Sequence, residues 1–448
     1  MINVIGLGYI GLPTALMLAK AGNKVYGTDI KESTVKKLQE RKLTFEEKGM
    51  DELFKEALDK DIHFGVKPIE TDMYIITAPT PYDKYTKKLD CSYVVKAVES
   101  VLDYALEDSI IVVESTVSPG AIDKYIRPVV ESYCSENKKT IHLCHAPERI
   151  IPGNMVYELI NNSRTIGADN EKVAKKVSDV YKTFCKGEIN FTNIPTAEMT
   201  KVIENTFRDV NIAFANELAK ICKQGGLDVN EVIRIANKHP RVNILKPGPG
   251  IGGHCIPVDP WFLVGDYPLT TELIYKARQI NDSMPNFVLN EIYEIMQKEG
   301  IKDSSRVGLY GLTYKENIDD IRESPTLQIL ELQKRHLGNP LKTYDPWVKE
   351  KITENQVFDI HEFLDSVDMV VVLVAHDEIV KHQELLKDKV VYDTRNVIEG
   401  DKVYRLWLYE ENNGSIWHKT RGHKDVPPGA WTKKEKKIWN CSCAYGTA

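Results

Sequence analysis

The sequence predicts an α/β protein made of two doubly wound domains joined by a central helical domain. Three observations carry that prediction. Strand-length apolar runs alternate with helical segments over residues 1–195, long uninterrupted helical stretches replace them over 196–299, and the alternation resumes over 300–411. Strands and helices in alternation imply a parallel sheet covered on both faces. With 448 residues the chain is long enough for two or three domains, each with a core of its own.

In order along the chain, residues 2–5 form a first strand, residues 6–11 a glycine turn and residues 12–21 a helix that ends near Gly22. A second strand, 24–28, runs into Asp29, and further strands follow at 73–78, 109–114 and 140–144. Helical segments at 93–106 and 121–133 stand between them. Residues 196–225 read as one long helix, 227–238 as a second and 269–299 as a third. Between them, residues 246–260 hold four glycines and four prolines among fifteen residues, which marks an ordered loop with a shaped backbone. Strands at 306–310, 341–344, 369–374 and 390–392, with a helix at 325–335, rebuild the alternation. Residues 412–448 lose periodicity and are expected to be a poorly ordered tail.

Composition narrows the function. A net charge of -6 and 28% charged residues give no basic field for gathering nucleic acid, so no nucleic-acid partner is expected. No run of about 18 uncharged apolar residues and no basic leader appears, so neither a membrane span nor a signal peptide is expected, and cytoplasmic residence is the default. Six of the eight cysteines are scattered without a close pair, which suits a reducing compartment. Cys441 and Cys443 with His418 and His423 do not match structural zinc spacing, and no metal is expected.

The motifs bring chemistry. Gly6, Gly8 and Gly11, with Tyr9 and Ile10 between them, form G-x-G-x-x-G directly after the first strand and before the first helix, where bare backbone and a helix N-terminus meet a pyrophosphate. Asp29 ends the next strand, where a carboxylate accepts from the adenosine ribose and repels a 2′-phosphate, so the cofactor is expected to be NAD. Thr80 and Thr116 each follow a later strand of the same sheet edge. Thr116 serves either a catalytic role or a capping one before Pro119. Cys255 stands in the glycine-rich loop with Asp259 four residues on, a setting that suits a nucleophile. His254 is a neighbour only, since adjacent side chains usually point apart. Lys201 and Asn205 share a helix face, and spacing alone does not distinguish a site pair from a solvated lysine and an asparagine near a helix end.

From Met1 to about Val397 the chain resembles the UDP-glucose/GDP-mannose dehydrogenase family. The resemblance rests on GLGYIG with Asp29, STVSPG, APER with Glu148, K-V-I-E-N, GGHCIPVD, GLTYKENIDDIRESP and DTRN, seven motifs in order. It implies two Rossmann-like domains, NAD, and four-electron oxidation of a UDP-sugar C6 alcohol through a thiohemiacetal and a thioester. HPRVNILKPGPGIGGHC is most similar to the N-acetylmannosamine branch, so the sugar implied is N-acetylmannosamine, with N-acetylglucosamine or glucose as alternatives. The resemblance further implies Cys255 as nucleophile and Lys201 and Asn205 as oxyanion donors, with Asp259, Thr116 and Glu148 handling water and protons. Glu148, Lys201, Asn205 and Gly252 would meet substrate, Lys315 and Arg395 would hold substrate or cofactor phosphates, and Arg241 would reach a neighbouring subunit's substrate in a homodimer or larger assembly. The competing expectations are a simple two-electron alcohol dehydrogenase, which leaves Cys255 without a task, and a non-catalytic NAD-binding regulator.

Overall fold

The computed structural model describes residues 1–335 and 338–406; the expected tail and the Cys441, Cys443, His418 and His423 set lie outside the described residues. The first eight strands are β1 (Ile2–Ile5), β2 (Val25–Thr28), β3 (Ile62–Gly65), β4 (Thr71–Ile76), β5 (Ala105–Val113), β6 (Ile141–His145), β7 (Arg164–Ala168) and β8 (Ile189–Thr192). They form one sheet in the order β3-β2-β1-β4-β5-β6-β7-β8. Val4, Ile75 and Val112 bury into one core while Ile5, Ile76 and Val113 bury into another, as expected of strands covered on both faces. The chain reverses its winding between β1 and β4, which opens a crevice at their carboxyl ends.

Two expectations are corrected. The sheet is not wholly parallel, because β6 and β7 pair antiparallel while β7 and β8 pair parallel. The helix expected at 93–106 closes at Leu102, because the apolar run from Ala105 joins β5 beside β4.

The helices that matter for the site are α1 (Gly11–Lys20), α2 (Glu32–Gln39), α3 (Met50–Leu58), α4 (Ser92–Leu102), α5 (Arg127–Asn137), α6 (Met155–Asn161), α7 (Glu171–Tyr181), α8 (Ile194–Gln224), α9 (Val229–Ala236), α10 (Asp259–Asp266), α11 (Glu272–Glu299) and α12 (Pro325–Gln333). Helix α8 runs 31 residues because Asn193 caps it, accepting from Thr196 N, and its only proline, Pro195, stands in the first turn where no N–H is needed.

A second sheet holds β9 (Val307–Tyr310), β10 (Lys342–Tyr344), β11 (Met369–Val372), β12 (Val390–Asp393) and β13 (Val403–Arg405) in the parallel order β10-β9-β11-β12-β13. The central helices do not close a core of their own. Ala215 and Ala219 of α8 and Met284, Val288 and Ile292 of α11 pack in one cluster with Leu309, Val371 and Tyr392 of the second sheet. No helix among the described residues is long and apolar enough to cross a membrane.

Candidate active site

The glycine turn after β1 is shaped for close backbone approach. Gly6 takes φ +92°, and a Cβ there would lie 2.9 Å from the Thr77 carbonyl oxygen. Around Gly8 the space is open. No side chain caps α1 and no acid stands in its first turn, so the helix N-terminus is left for an anion. Asp29, at the end of β2, accepts from Leu7 N at 2.8 Å and Lys31 N at 2.8 Å, which fixes its carboxylate beside the turn. Thr80 is buried after β4 and Thr116 half-buried after β5, on the same sheet edge. These residues fit an NAD molecule lying across the β1/β4 crevice.

Lys201 and Asn205 lie one turn apart on the buried face of α8. Asn205 Nδ2 donates to Asp259 Oδ2 at 2.7 Å, and Asp259 N donates to the Cys255 carbonyl oxygen at 2.8 Å. Cys255 therefore sits on the turn that starts α10, locked to the helix that carries the lysine. Burial pushes the Asp259 carboxyl up to about 6, against the pull of Lys201 and Asn205. Cys255 opens onto a cleft of about 540 Å³ that also reaches Tyr9, Ile10, Lys201, Asn205, Gly252, Lys315 and Arg395. Its thiol is pushed above the ordinary range, first by desolvation and then by Asp259, while Lys201, Arg322 and Arg208 pull the other way. In the free protein Lys201 does not bring the thiol down, because desolvation and the Asp259 carboxylate outweigh it.

The Gly/Pro loop is pressed onto the second sheet's first loop. Gly253 takes φ +90°, a Cβ there would lie 2.9 Å from the Tyr314 ring, and its N–H donates to the Arg322 carbonyl at 2.8 Å. Lys315 Nζ donates to the Pro152 carbonyl at 2.7 Å, which joins the third segment to the loop after Glu148. Across the cleft mouth, the Arg322 guanidinium stands 5.1 Å from the Tyr9 ring centroid.

Several expected site residues do not line the cleft: Gly6, Gly8, Gly11, Asp29, Thr80 and Thr116 lie along the edge of the first sheet, Asp259 is buried against Asn205, and Glu148 and Arg241 also stand outside it. Glu148 is buried beneath it, accepts from Arg149 N at 2.7 Å and pairs with Arg164, which also binds Glu114 at 3.1 Å. Burial drives Glu114 up to about 7, against the pull of Arg164 and with a smaller push from the neighbouring Glu148. Arg241 is exposed on the loop after α9 and is not among the residues that line the cleft.

The structure adds residues that the motifs did not single out: Arg149, Arg208, Lys246 and Arg322 all line the cleft. Arg208 was within reach of helical spacing, since 201, 205 and 208 share one face. Arg149 and Arg322 lay inside the APER and IRESP motifs already quoted. With Lys201, Lys315 and Arg395 they outnumber the two lining carboxylates, Glu204 and Glu316, which suits a doubly charged phosphate ligand.

Models of the UDP-glucose/GDP-mannose dehydrogenase family match the chain three times: the NAD binding domain over residues 1–185, the central domain over 195–283 and the UDP binding domain over 308–400. The chain is 43% identical over 423 residues to UDP-N-acetyl-D-mannosamine dehydrogenase of Methanocaldococcus jannaschii, covering 90% of this chain and 96% of the relative. It is 42% identical over 418 residues to the enzyme of that name from Methanococcus maripaludis, covering 91% and 94%. Among solved structures, the UDP-N-acetyl-mannosamine dehydrogenase of Staphylococcus aureus matches with a TM-score of 0.81 at 38% identity, over 91% of this chain and 98% of that one.

Proposed function

The chain belongs to the UDP-glucose/GDP-mannose dehydrogenase family, and on that premise we propose that it oxidises C6 of UDP-N-acetylmannosamine to the uronate, with Cys255 as the covalent nucleophile. The observation that carries the reading is that Cys255, Lys201 and Asn205 line one cationic cleft and that Asn205 and the Cys255 backbone both bind the buried Asp259. The names of its relatives support the sugar. NAD, when bound, accepts the hydride in each of the two oxidations.

The residues of the chain supply the rest. Asp259, or a water that it holds beside Lys201, takes the C6 hydroxyl proton. The Cys255 thiolate adds to the resulting aldehyde, and the alkoxide so formed lies against Lys201 Nζ and the second amide hydrogen of Asn205. After the second oxidation a water adds to the thioester, Asp259 takes its proton, and the C–S bond breaks to return the thiolate and release the acid. Lys315, Arg395 and the cleft arginines hold the diphosphate, while Glu148 anchors the 149–152 segment and Thr116 and Thr80 border the cofactor. The six cysteines among the described residues form no disulfide, which suits the reducing cytoplasm as the place of reaction.

We also infer a homodimer seated on α8. Ile203, Phe207, Phe214 and Ile221 stand exposed along one face of that helix at three- and four-residue steps through Val210 and Leu218, an apolar seam that fits a second copy of itself.

Turnover with a panel of UDP-N-acetylmannosamine, UDP-N-acetylglucosamine, UDP-N-acetylgalactosamine and UDP-glucose tests the reading. Two NADH per sugar, no free aldehyde and the highest kcat/KM with the first are expected. A higher kcat/KM with another sugar overturns the sugar assignment. One NADH per sugar with aldehyde as product, or a Cys255→Ala variant that still makes acid at the wild-type rate, overturns the covalent route.

A further inference from the structure

Behind the cleft, at the carboxyl edge of the second sheet, His376 and Thr313 are fully buried and Asp345 nearly so, and the mechanism uses none of them. Their hydrogen bonds have a single consistent assignment. Asn317 N–H can only donate, and it points at His376 Nδ1 at 3.0 Å, so Nδ1 is a lone pair and the imidazole proton sits on Nε2. Nε2–H then donates to Asp345 Oδ2 and to Thr313 Oγ1, both at 3.2 Å. Thr313, accepting there, turns its own hydroxyl hydrogen to the Lys315 carbonyl at 2.9 Å. Asp345 Oδ2 meanwhile accepts from Leu312 N at 2.6 Å and Thr313 N at 3.0 Å. The excursion that brings Tyr314, Lys315 and Glu316 into the cleft is therefore clamped at its start by Asp345, in its middle by Thr313 and at its end by His376.

We propose that His376 is a positioning residue for the nucleotide: through Thr313 and Asn317 it fixes the backbone on which Lys315 is carried. The proposal rests on the reading that Lys315 binds a phosphate of the UDP moiety. The chemistry favours fixing the carrier rather than the tip. A lysine is a point charge on a flexible stem, so its reach to a phosphate is defined only if the backbone under it is held. In the free protein Lys315 Nζ donates to the Pro152 carbonyl, and swinging from that carbonyl to a phosphate oxygen requires a fixed pivot.

The test is titration of the full-length protein with UDP and, separately, with NAD. His376→Gln keeps a donor towards Asp345 and removes the acceptor for Asn317, while Thr313→Val removes the hydroxyl with little change of volume. Each is expected to weaken UDP binding roughly 5- to 20-fold, on the scale of one charge-assisted hydrogen bond to phosphate, and to leave NAD binding unchanged. Combined with Lys315→Ala, neither should weaken UDP binding beyond the Lys315→Ala effect, because both act through the same lysine. A His376→Gln protein with a lowered thermal midpoint and wild-type UDP affinity makes the residue merely structural and overturns the proposal. So does additivity with Lys315→Ala. If His376→Gln does not fold, Thr313→Val decides by the same criteria. A Lys315→Ala protein with undiminished UDP affinity overturns the proposal together with the phosphate role of Lys315, whereas a weakened Lys315→Ala beside an unaffected Thr313→Val overturns the proposal alone.

Discussion

At Cys255 two influences hold the proton on and several pull it off. Desolvation and the carboxylate of Asp259 raise the thiol pKa, and Lys201, Arg322 and Arg208 lower it without prevailing. A thiol pKa above its ordinary value leaves a smaller thiolate fraction at neutral pH than free cysteine has. The covalent step should therefore accelerate by up to about tenfold per pH unit from neutrality until the raised pKa is passed. In the proposed route Asp259 opposes the ionisation of Cys255 while serving proton transfer, and the two effects can be pulled apart. Asp259→Asn removes the negative charge, so Cys255 should be alkylated faster by iodoacetamide at pH 7.5 even as turnover falls by roughly 100-fold or more. Lys201→Met should slow alkylation as well as turnover. Slower alkylation in Asp259→Asn would show that the carboxylate acts on the thiol as an acceptor that draws off its proton rather than as a neighbouring charge.

At the scale of elements, α8 is the rod on which the site is built. Glu198 accepts from Gly120 N at 2.6 Å and Ile122 N at 2.9 Å and so holds the loop after Thr116. Lys201 and Asn205 face the cleft, Asp209 binds the buried Arg278 and Asn281, and Asn216 accepts from Gly248 N at 2.9 Å while donating to Asn281 Oδ1 at 2.9 Å. One polar stripe thus fixes the Thr116 loop, the Lys201–Asn205 pair and the entry to the Cys255 loop. Asn216→Ala leaves the Gly248 N–H buried without its acceptor and should lower stability by about 2 kcal/mol and depress kcat along with it, checked by thermal midpoint and steady-state rates. Unchanged turnover in that variant would mean that the loop is held by Tyr314 and Arg322 alone. Much of this element was legible, because a helix without interior proline or glycine and a pair at i, i+4 are local properties. What was not legible is what the stripe touches: nothing near Asn216 in the chain announces Gly248 thirty-two residues away. Strand direction was hidden for the same reason, since β7 runs against β6 only because of where the chain re-enters the sheet after α6.

Across the whole molecule, residues far apart in sequence complete each other's sites, and this too follows from packing rather than pattern. The GLGYIG turn meets the IDDIRESP segment through Tyr9 and Arg322, and the Cys255 loop rests on Tyr314. Arg241, proposed to complete a neighbouring subunit's site, is exposed and stands outside the cleft of its own chain. Its loop is tied to α8, for Asn211 Nδ2 donates to the Asn243 carbonyl at 2.8 Å and Asn211 Oδ1 accepts from Leu245 N at 3.0 Å. A second copy seated on the apolar seam of α8 would therefore be met by an anchored, exposed guanidinium, free to enter the neighbouring cleft. Phe207→Asp places a charge on that seam and should convert a dimer to monomers with loss of most activity, read by light scattering and turnover. The decisive measurement mixes two inactive proteins. Arg241→Ala chains keep Cys255, and Cys255→Ala chains keep Arg241, so a mixed dimer holds one cleft with both groups and should recover a fraction of wild-type turnover near one quarter when equal amounts exchange at random, since about half the dimers are mixed and each has one working site. Absence of recovery after subunit exchange is proven, or an Arg241→Ala protein that is fully active, would return each site to a single chain and leave the seam of α8 with a purely structural role.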